Sequence, residues 1–369
     1  MNRIMRVIQA AAIAAMSCLV VTAARSQTNS ADAKYPPTTE GDFVVHNFKF
    51  ESGDTLADLK LHYTTLGKPA KDAQGRTTNA VLILHGTGGS GQQFLAPYFA
   101  GELFNSGQIL DASRYYLILV DGVGHGKSSK PSDGLHAHFP QYDYADMVAL
   151  HHKLLTEGLG VDHLRLIFGT SMGCMHSFVW GETYPDFMDA LMPMACLPIQ
   201  IAGRNRVWRK MLIDGIRTDP EWKNGDYATE PPQGIRIALD FLIIAGSAPI
   251  PMQKTLPKRD DADKFLDQYF HDRAGSIDAN DILYQVSASR DYDPSANLEK
   301  IKAQVMWMNS SDDFINPPDL GIAEREVKRL QRGKFILIPA SEQTQGHGTH
   351  TFAAIWKDHL AELLEKSAH

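Results

Sequence analysis

The chain has 369 residues, 43% of them hydrophobic, with a formal charge of −7 at pH 7. That length favours one large core carrying an insertion over two unrelated domains. An acidic balance without a block of Lys and Arg argues against a nucleic-acid partner, and two or three cysteines are too few for a disulfide framework.

Arg3 and Arg6 precede an Ala-rich apolar run from about Val7 to Ala24, which stops at Arg25-Ser26-Gln27. This pattern predicts a cleavable secretory signal over 1–24, with a retained membrane anchor as the alternative. Processing there takes the charge to about −9 and implies a secreted or periplasmic protein with no stable membrane insertion. A lipid on Cys18 is disfavoured, because the run continues past it through Leu19, Val20 and Val21. Of the cysteines left, Cys174 and Cys196, export permits a bond, but two buried thiols are the simpler expectation.

Residues 34–42 are polar and include Pro36-Pro37, so they are expected to form a leader into the first strand. Alternation over Phe43–Phe50 and Leu59–Tyr63 predicts two antiparallel edge strands. Val81–Leu84, Tyr116–Val120 and Leu164–Phe168 are short apolar runs ending at glycine turns, as buried parallel strands do. Asp143–Leu159 has helical spacing, with Met147, Leu150, Leu154 and Leu155 on one face. A helix to about Tyr184 and strands at Ala190–Met194, Val305–Met308 and Phe335–Ile338 complete a doubly wound, mostly parallel eight-stranded α/β sheet. Between them, 198–293 contains helical patterns and apolar residues such as Trp208, Met211, Ile213, Phe241, Phe265 and Tyr269 but no evident strand. It is expected to be a helical cap inserted between core segments 43–197 and 294–369.

The sharpest chemical signal is Gly169-Thr170-Ser171-Met172-Gly173, a G-x-S-x-G between a predicted strand and a predicted helix. A hydroxyl becomes a nucleophile only when held clear of the chain beside a base, and a tight turn does this if its neighbours are small. The helix behind it contributes N–H groups and a favourable dipole where negative charge develops. His85-Gly86-Thr87-Gly88-Gly89 ends another predicted strand and suits a second donor loop, so Thr87 and Met172 are the expected oxyanion donors. A phosphate loop is excluded because no G-x-x-x-x-G-K-[ST] is present. Asp121–Ser128 comes nearest and is expected to line the mouth of the site. No H-E-x-x-H exists among the fifteen histidines, so neither metal nor cofactor is expected.

These features resemble the α/β-hydrolase superfamily, in which the acid and then the base follow the nucleophile. His347, in Gln345-Gly346-His347-Gly348, is the expected base, with His350 as rival. The acid is Asp312 or Asp313. The superfamily pattern favours Asp313, since three residues separate it from Pro317. More narrowly, the chain from about Phe43 onward resembles the homoserine O-acetyltransferase branch. Ser171-Met172-Gly173-Cys174-Met175-His176 is similar to its S-M-G-G-M-Q, Asp219–Tyr227 to its D-P-x-W-x-x-G-x-Y, and Asp278–Tyr284 to its D-x-N-x-x-L-Y. Asp313 with Pro317-Pro318 matches its S-D-x-x-x-P-P.

Departures bear on function. Gly234–Leu239 resembles the transferases' G-L-x-x-A-R, but Leu239 stands where an arginine is expected to hold the amino-acid substrate. Cys174 replaces a glycine and His176 a glutamine. The resemblance implies acetyl-CoA as donor, which an exported protein would not meet, so water is the expected acceptor. The reading is therefore an exported serine esterase or acyl hydrolase acting on a small-molecule ester, with homoserine-type O-acyl transfer as the alternative and a non-catalytic binding module as a third class. The related transferases are commonly dimers, so the resemblance also carries a homodimer through the cap.

Overall fold

The computed structural model describes residues 35–368, and the leader read at 1–24, with Cys18, lies outside them. Eight strands form one sheet: β1 (Thr38–Lys49), β2 (Thr55–Leu66), β3 (Ala80–Leu84), β4 (Tyr116–Val120), β5 (Leu166–Thr170), β6 (Ala190–Met194), β7 (Gln304–Ser310) and β8 (Gly333–Ile338). Their spatial order is β1-β2-β4-β3-β5-β6-β7-β8. The β1–β2 and β2–β4 pairs are antiparallel and the other five pairs are parallel. β1 begins earlier than its own hydrophobicity predicts, because Thr38 to Asp42 pair with Leu66 to His62. A long partner strand decided that segment, and residues 38–42 are strand rather than leader.

The continuous apolar runs follow from burial on both faces. In β3, Leu82 and Leu84 join the core on one side of the sheet, while Val81 and Ile83 join the core on the other. The first side is covered by α1 (Tyr144–Lys153) and α2 (Met172–Thr183), which supply Met147, Leu150, Phe178 and Trp180. The expected 143–159 helix becomes a π turn over Leu154–Gly158, with Leu154 and Leu155 still buried. On the other side the C-terminal helix Ala353–Lys366 buries Trp356 and Leu360 against Phe99 and Phe168. Each such side chain contributes roughly 1.5–3 kcal/mol on leaving water.

Between β6 and β7 the chain is helical, with α3 (Gly203–Arg217), α4 (Pro232–Gly246), α5 (Pro249–Thr255), α6 (Arg259–Arg273) and α7 (Ala279–Ser287). The motifs that carried the family resemblance here hold the cap together. Asp219 accepts from the N–H groups of Glu221, Gln233 and Gly234, which fastens the 219–225 turn to the start of α4. Asn280 accepts from Trp222 Nε1 at 2.9 Å and donates to the Gly225 carbonyl at 2.9 Å, while Tyr227 Oη accepts from its N–H. Tyr284 reaches back to the core, donating to the Phe139 carbonyl at 2.6 Å.

Because β3 to β8 run parallel, the loops leaving them emerge along one edge of the sheet. The segments at 85–89, 171, 195–196, 312–313 and 346–347 meet there.

Candidate active site

Ser171 sits at the turn between β5 and α2 with φ 54° and ψ −109°, a conformation side chains other than glycine seldom adopt. Two backbone bonds hold it there: Ser171 N–H to the Met194 carbonyl at 2.8 Å and Gly173 N–H to the His85 carbonyl at 2.9 Å. The need for glycine at 173 is steric. A Cβ there would lie 2.2 Å from the Leu84 carbonyl oxygen. Helix, sheet and elbow are in backbone contact, and the serine is lifted out by that closeness.

The Ser171 hydroxyl donates to His347 Nε2 at 2.8 Å, and His347 Nδ1–H donates to Asp313 Oδ2 at 2.9 Å. All three residues are buried. These bonds fix the imidazole as the Nδ1–H tautomer, leaving Nε2 free to accept a proton. Burial alone would raise the Asp313 carboxyl. The His347 ring, the Asn316 side chain and the Ile315 N–H outweigh it and hold the carboxyl below its ordinary value. Asn316 was not foreseen: its Nδ2 donates to Asp313 Oδ2 at 2.9 Å and to the Ala195 carbonyl at 3.0 Å, tying the acid to the strand beside the nucleophile.

The neighbouring aspartate has a different place. Asp312 accepts from Ser310 Oγ, from Thr344 Oγ1 at 2.8 Å and from the Gly346 N–H at 3.3 Å, so it anchors the loop that presents His347. Gly346 adopts φ 56°, and a Cβ there would meet the Ser247 carbonyl oxygen at 2.5 Å. His350 makes no contact with Ser171. It is buried edge-on to His347, with Nδ1 unpartnered and its pKa pushed by burial down to about 3.

Met172 follows the serine at the start of α2, and Thr87 lies in the loop after β3, where a Cβ on the neighbouring Gly86 would come within 3.1 Å of Ser171 Cβ. Met172 is the first residue of its helix, so its N–H has no partner within that helix. Among the described residues neither N–H makes a backbone hydrogen bond. The loop carrying Thr87 is pinned by His85, whose Nδ1 donates to the Gly86 carbonyl at 2.8 Å and whose Nε2 accepts from the Gly122 N–H at 3.0 Å. The 121–128 turn was expected at the mouth of the site. It does not line the cavity. Instead Asp121 accepts from the N–H groups of Gly91 and Lys127, both at 2.8 Å, and His125 and Ser128 are wholly buried, His125 against His85.

A cavity of about 490 Å³ opens onto Ser171 and His347. Its wall is largely aliphatic, with Leu197, Ile199, Ile201, Ile315 and Ile322, and it is closed on the cap side by the start of α3, including Arg209. Leu239 is wholly buried and lies outside that wall. Cys174 and Cys196 form a disulfide between the nucleophile helix and the loop after β6, with Cα atoms 5.8 Å apart. The expectation of two thiols is thereby corrected, because β6 leads Cys196 back over the first turn of α2. Spacing along the chain carries no trace of that approach. His176, the other departure in this helix, is buried against Tyr144 and His151. Among the described residues no cluster of three or more His, Cys, Asp or Glu is placed to hold a metal.

A chain with this sheet and a hydrogen-bonded serine, histidine and aspartate at its carboxyl edge has the equipment for acyl chemistry. It belongs to the alpha/beta hydrolase fold family, whose model matches residues 79–340. It is 28% identical to a probable acyltransferase of Methanothermobacter thermautotrophicus over 75% of this chain and 84% of that one. It is 27% identical to a homoserine O-acetyltransferase of Pelobacter propionicus over 82% of this chain and 90% of the other. The crystal structure of an acetylester hydrolase from Corynebacterium glutamicum superposes with a TM-score of 0.76 at 21% identity, covering 89% and 96% of the two chains. The first expectation of the fold and the narrower resemblance to the homoserine O-acetyltransferase branch both stand on these matches.

Proposed function

We propose that this protein is an exported serine esterase. The observation that carries the reading is the chain of bonds from Ser171 Oγ to His347 Nε2 and from His347 Nδ1 to Asp313, at the floor of a largely apolar cavity. Ser171 Oγ attacks the ester carbonyl as its proton passes to His347 Nε2. The N–H groups of Thr87 and Met172 hold the oxyanion, and His347 returns the proton to the departing alcohol. Water then attacks the acyl-serine with His347 again as base, releasing the acid and restoring the serine. Asp313 keeps the imidazole oriented and stabilises the imidazolium. No cofactor enters these steps.

Export is supported by the apolar segment before residue 25 and by the Cys174–Cys196 bond, which persists in oxidising compartments. A second reading, O-acyl transfer to homoserine from acetyl-CoA, is favoured by the relatives that bear that name. Both share the acyl-enzyme and differ in what resolves it. Turnover of short p-nitrophenyl esters by the mature protein, with Ser171→Ala as control and homoserine added as acceptor, separates them. Turnover lost in Ser171→Ala and indifferent to homoserine supports the esterase; formation of O-acylhomoserine overturns it in favour of the transferase.

A further inference from the structure

The wall of the Ser171 cavity contains a charge without a counterion. Arg209, on α3, is 3% exposed and lines the cavity together with Ser171 and His347. Its Nε donates to Asn205 Oδ1 at 2.9 Å and its Nη1 to Ser289 Oγ at 3.1 Å, both neutral acceptors. Among the described residues no carboxylate lies within 4.0 Å of it. The ionisable groups that face it are Arg206, of like sign, and the Tyr144 phenol, whose own ionisation burial suppresses. Asp319, a carboxylate on the cavity wall, is exposed.

A guanidinium stays protonated at any pH a folded protein survives, so Arg209 cannot escape burial by becoming neutral. Leaving such a charge unpaired is costly, and a cavity that tolerates the cost without a protein carboxylate is built to receive an anion from outside. Two of the five N–H groups are engaged, and the remainder suit a planar, two-oxygen acceptor. Nearby, the Tyr144 hydroxyl is buried beside Ser289 and Thr87, so the polar groups around the guanidinium are neutral hydroxyls and not carboxylates. The guanidinium also lies over the Trp208 ring, 4.7 Å from its centroid, a contact made through its face that leaves the remaining N–H groups at its edge uncommitted.

We infer that Arg209 anchors a carboxylate of the substrate, so that the esters this protein prefers carry a negative charge on the acyl or the alcohol arm. The inference rests on Ser171 being the nucleophile of an ester hydrolase, and it names the class of ester. The aliphatic wall then takes the neutral arm, and the Arg209 contact sets which end of the molecule lies over Ser171.

Two isosteric pairs test it: monomethyl succinate against methyl levulinate, and acetoxyacetate against acetoxyacetone, each pair differing by a carboxylate in place of a methyl ketone. Wild type should favour the anionic member of at least one pair in kcat/KM. Arg209→Met should shrink that preference by on the order of 10- to 100-fold, and Arg209→Lys by less. Calorimetric titration of Ser171→Ala with glutarate, which needs no turnover, should give binding that is lost in Ser171→Ala/Arg209→Met. Equal use of both members of each pair, together with no glutarate binding, overturns the Arg209 assignment and leaves the esterase intact. Glutarate binding without turnover of any ester overturns the esterase reading while the anion site stands. A variant that fails to fold does not decide the matter, because the wild-type preference and the glutarate titration are read without it.

Discussion

Lowering the pH from 7 to 5 puts the burial of five histidines to a direct test. His85, His125, His151, His176 and His350 are each at most 5% exposed, and burial is the leading cause that lowers the pKa of every one. For His151 and His350 the folded value falls to about 3. Above an unfolded pKa of about 6.5 such a group costs nothing, because it is neutral in both states. Below that pH the unfolded chain binds a proton the folded chain refuses, and stability falls by about 1.4 kcal/mol per pH unit until the folded pKa is reached. At pH 5 this amounts to roughly 2 kcal/mol for each of His151 and His350, or about 4 together. His125 and His176, lowered well below the ordinary value, act in the same direction.

Three carboxyls oppose them. Asp146 and Asp281 are raised to about 6 and Glu230 to about 7, chiefly by burial, so their folded forms gain relative stability as the pH falls through those values. Glu230 and Asp281 are only partly buried, and solvent screening reduces their share. Between pH 6 and 5 these gains, before screening, are of the same size as the loss from His151 and His350, so the direction of the balance is set by His85, His125 and His176, all of which destabilise. Urea unfolding of the protein at pH 7.5, 6 and 5, followed by far-ultraviolet circular dichroism, should show the midpoint falling below pH 6. His151→Phe should recover roughly 2 kcal/mol of the loss at pH 5, since neither ring nitrogen of His151 has a hydrogen-bond partner to forfeit. An unchanged or higher midpoint at pH 5, or resonances assigned to His151 or His350 titrating near 6.5, refutes the reasoning.

Asp313→Asn should lower kcat/KM for esters by on the order of 10⁴, because the amide favours the wrong tautomer of His347. Asp312→Asn should have a smaller kinetic effect and cost about 1–3 kcal/mol of stability, read from the same urea curves, as the 344–346 loop loses its anchor. Replacing Cys174 and Cys196 together by serine opens a loop with a separation of 22 residues and should destabilise by about 3 kcal/mol in thermal or urea melts. Gly173→Ala should yield little soluble protein, since its Cβ would sit 2.2 Å from a carbonyl oxygen of β3; a folded, active variant would show that the elbow can open.

Several parts of the molecule were legible in the chain because their causes are local. Short apolar runs ending at glycines suit strands buried on both faces, and a serine between Gly169 and Gly173 after such a run suits a tight strand-to-helix turn. The order of elements placed His347 and the acid on loops at one sheet edge. The same reading misjudged Thr38–Asp42, where β2 supplies the order that local polarity hides, and the 121–128 turn, whose glycines look like a mouth but serve a packed layer.

What the sequence by itself determined is thus the sheet, the elbow and the kind of chemistry, since spacing and residue type act over a few neighbours. Only the tertiary structure placed Asp313 and not Asp312 against His347, and His347 and not His350 against Ser171, because a hydrogen bond depends on direction within an ångström, and adjacent side chains differ in direction, not in composition. It also decided what no spacing encodes: that Cys196 lies over Cys174, that Asn316 bonds Asp313, and that Arg209 is buried in the wall of the Ser171 cavity with neutral hydrogen-bond partners and no carboxylate among the described residues.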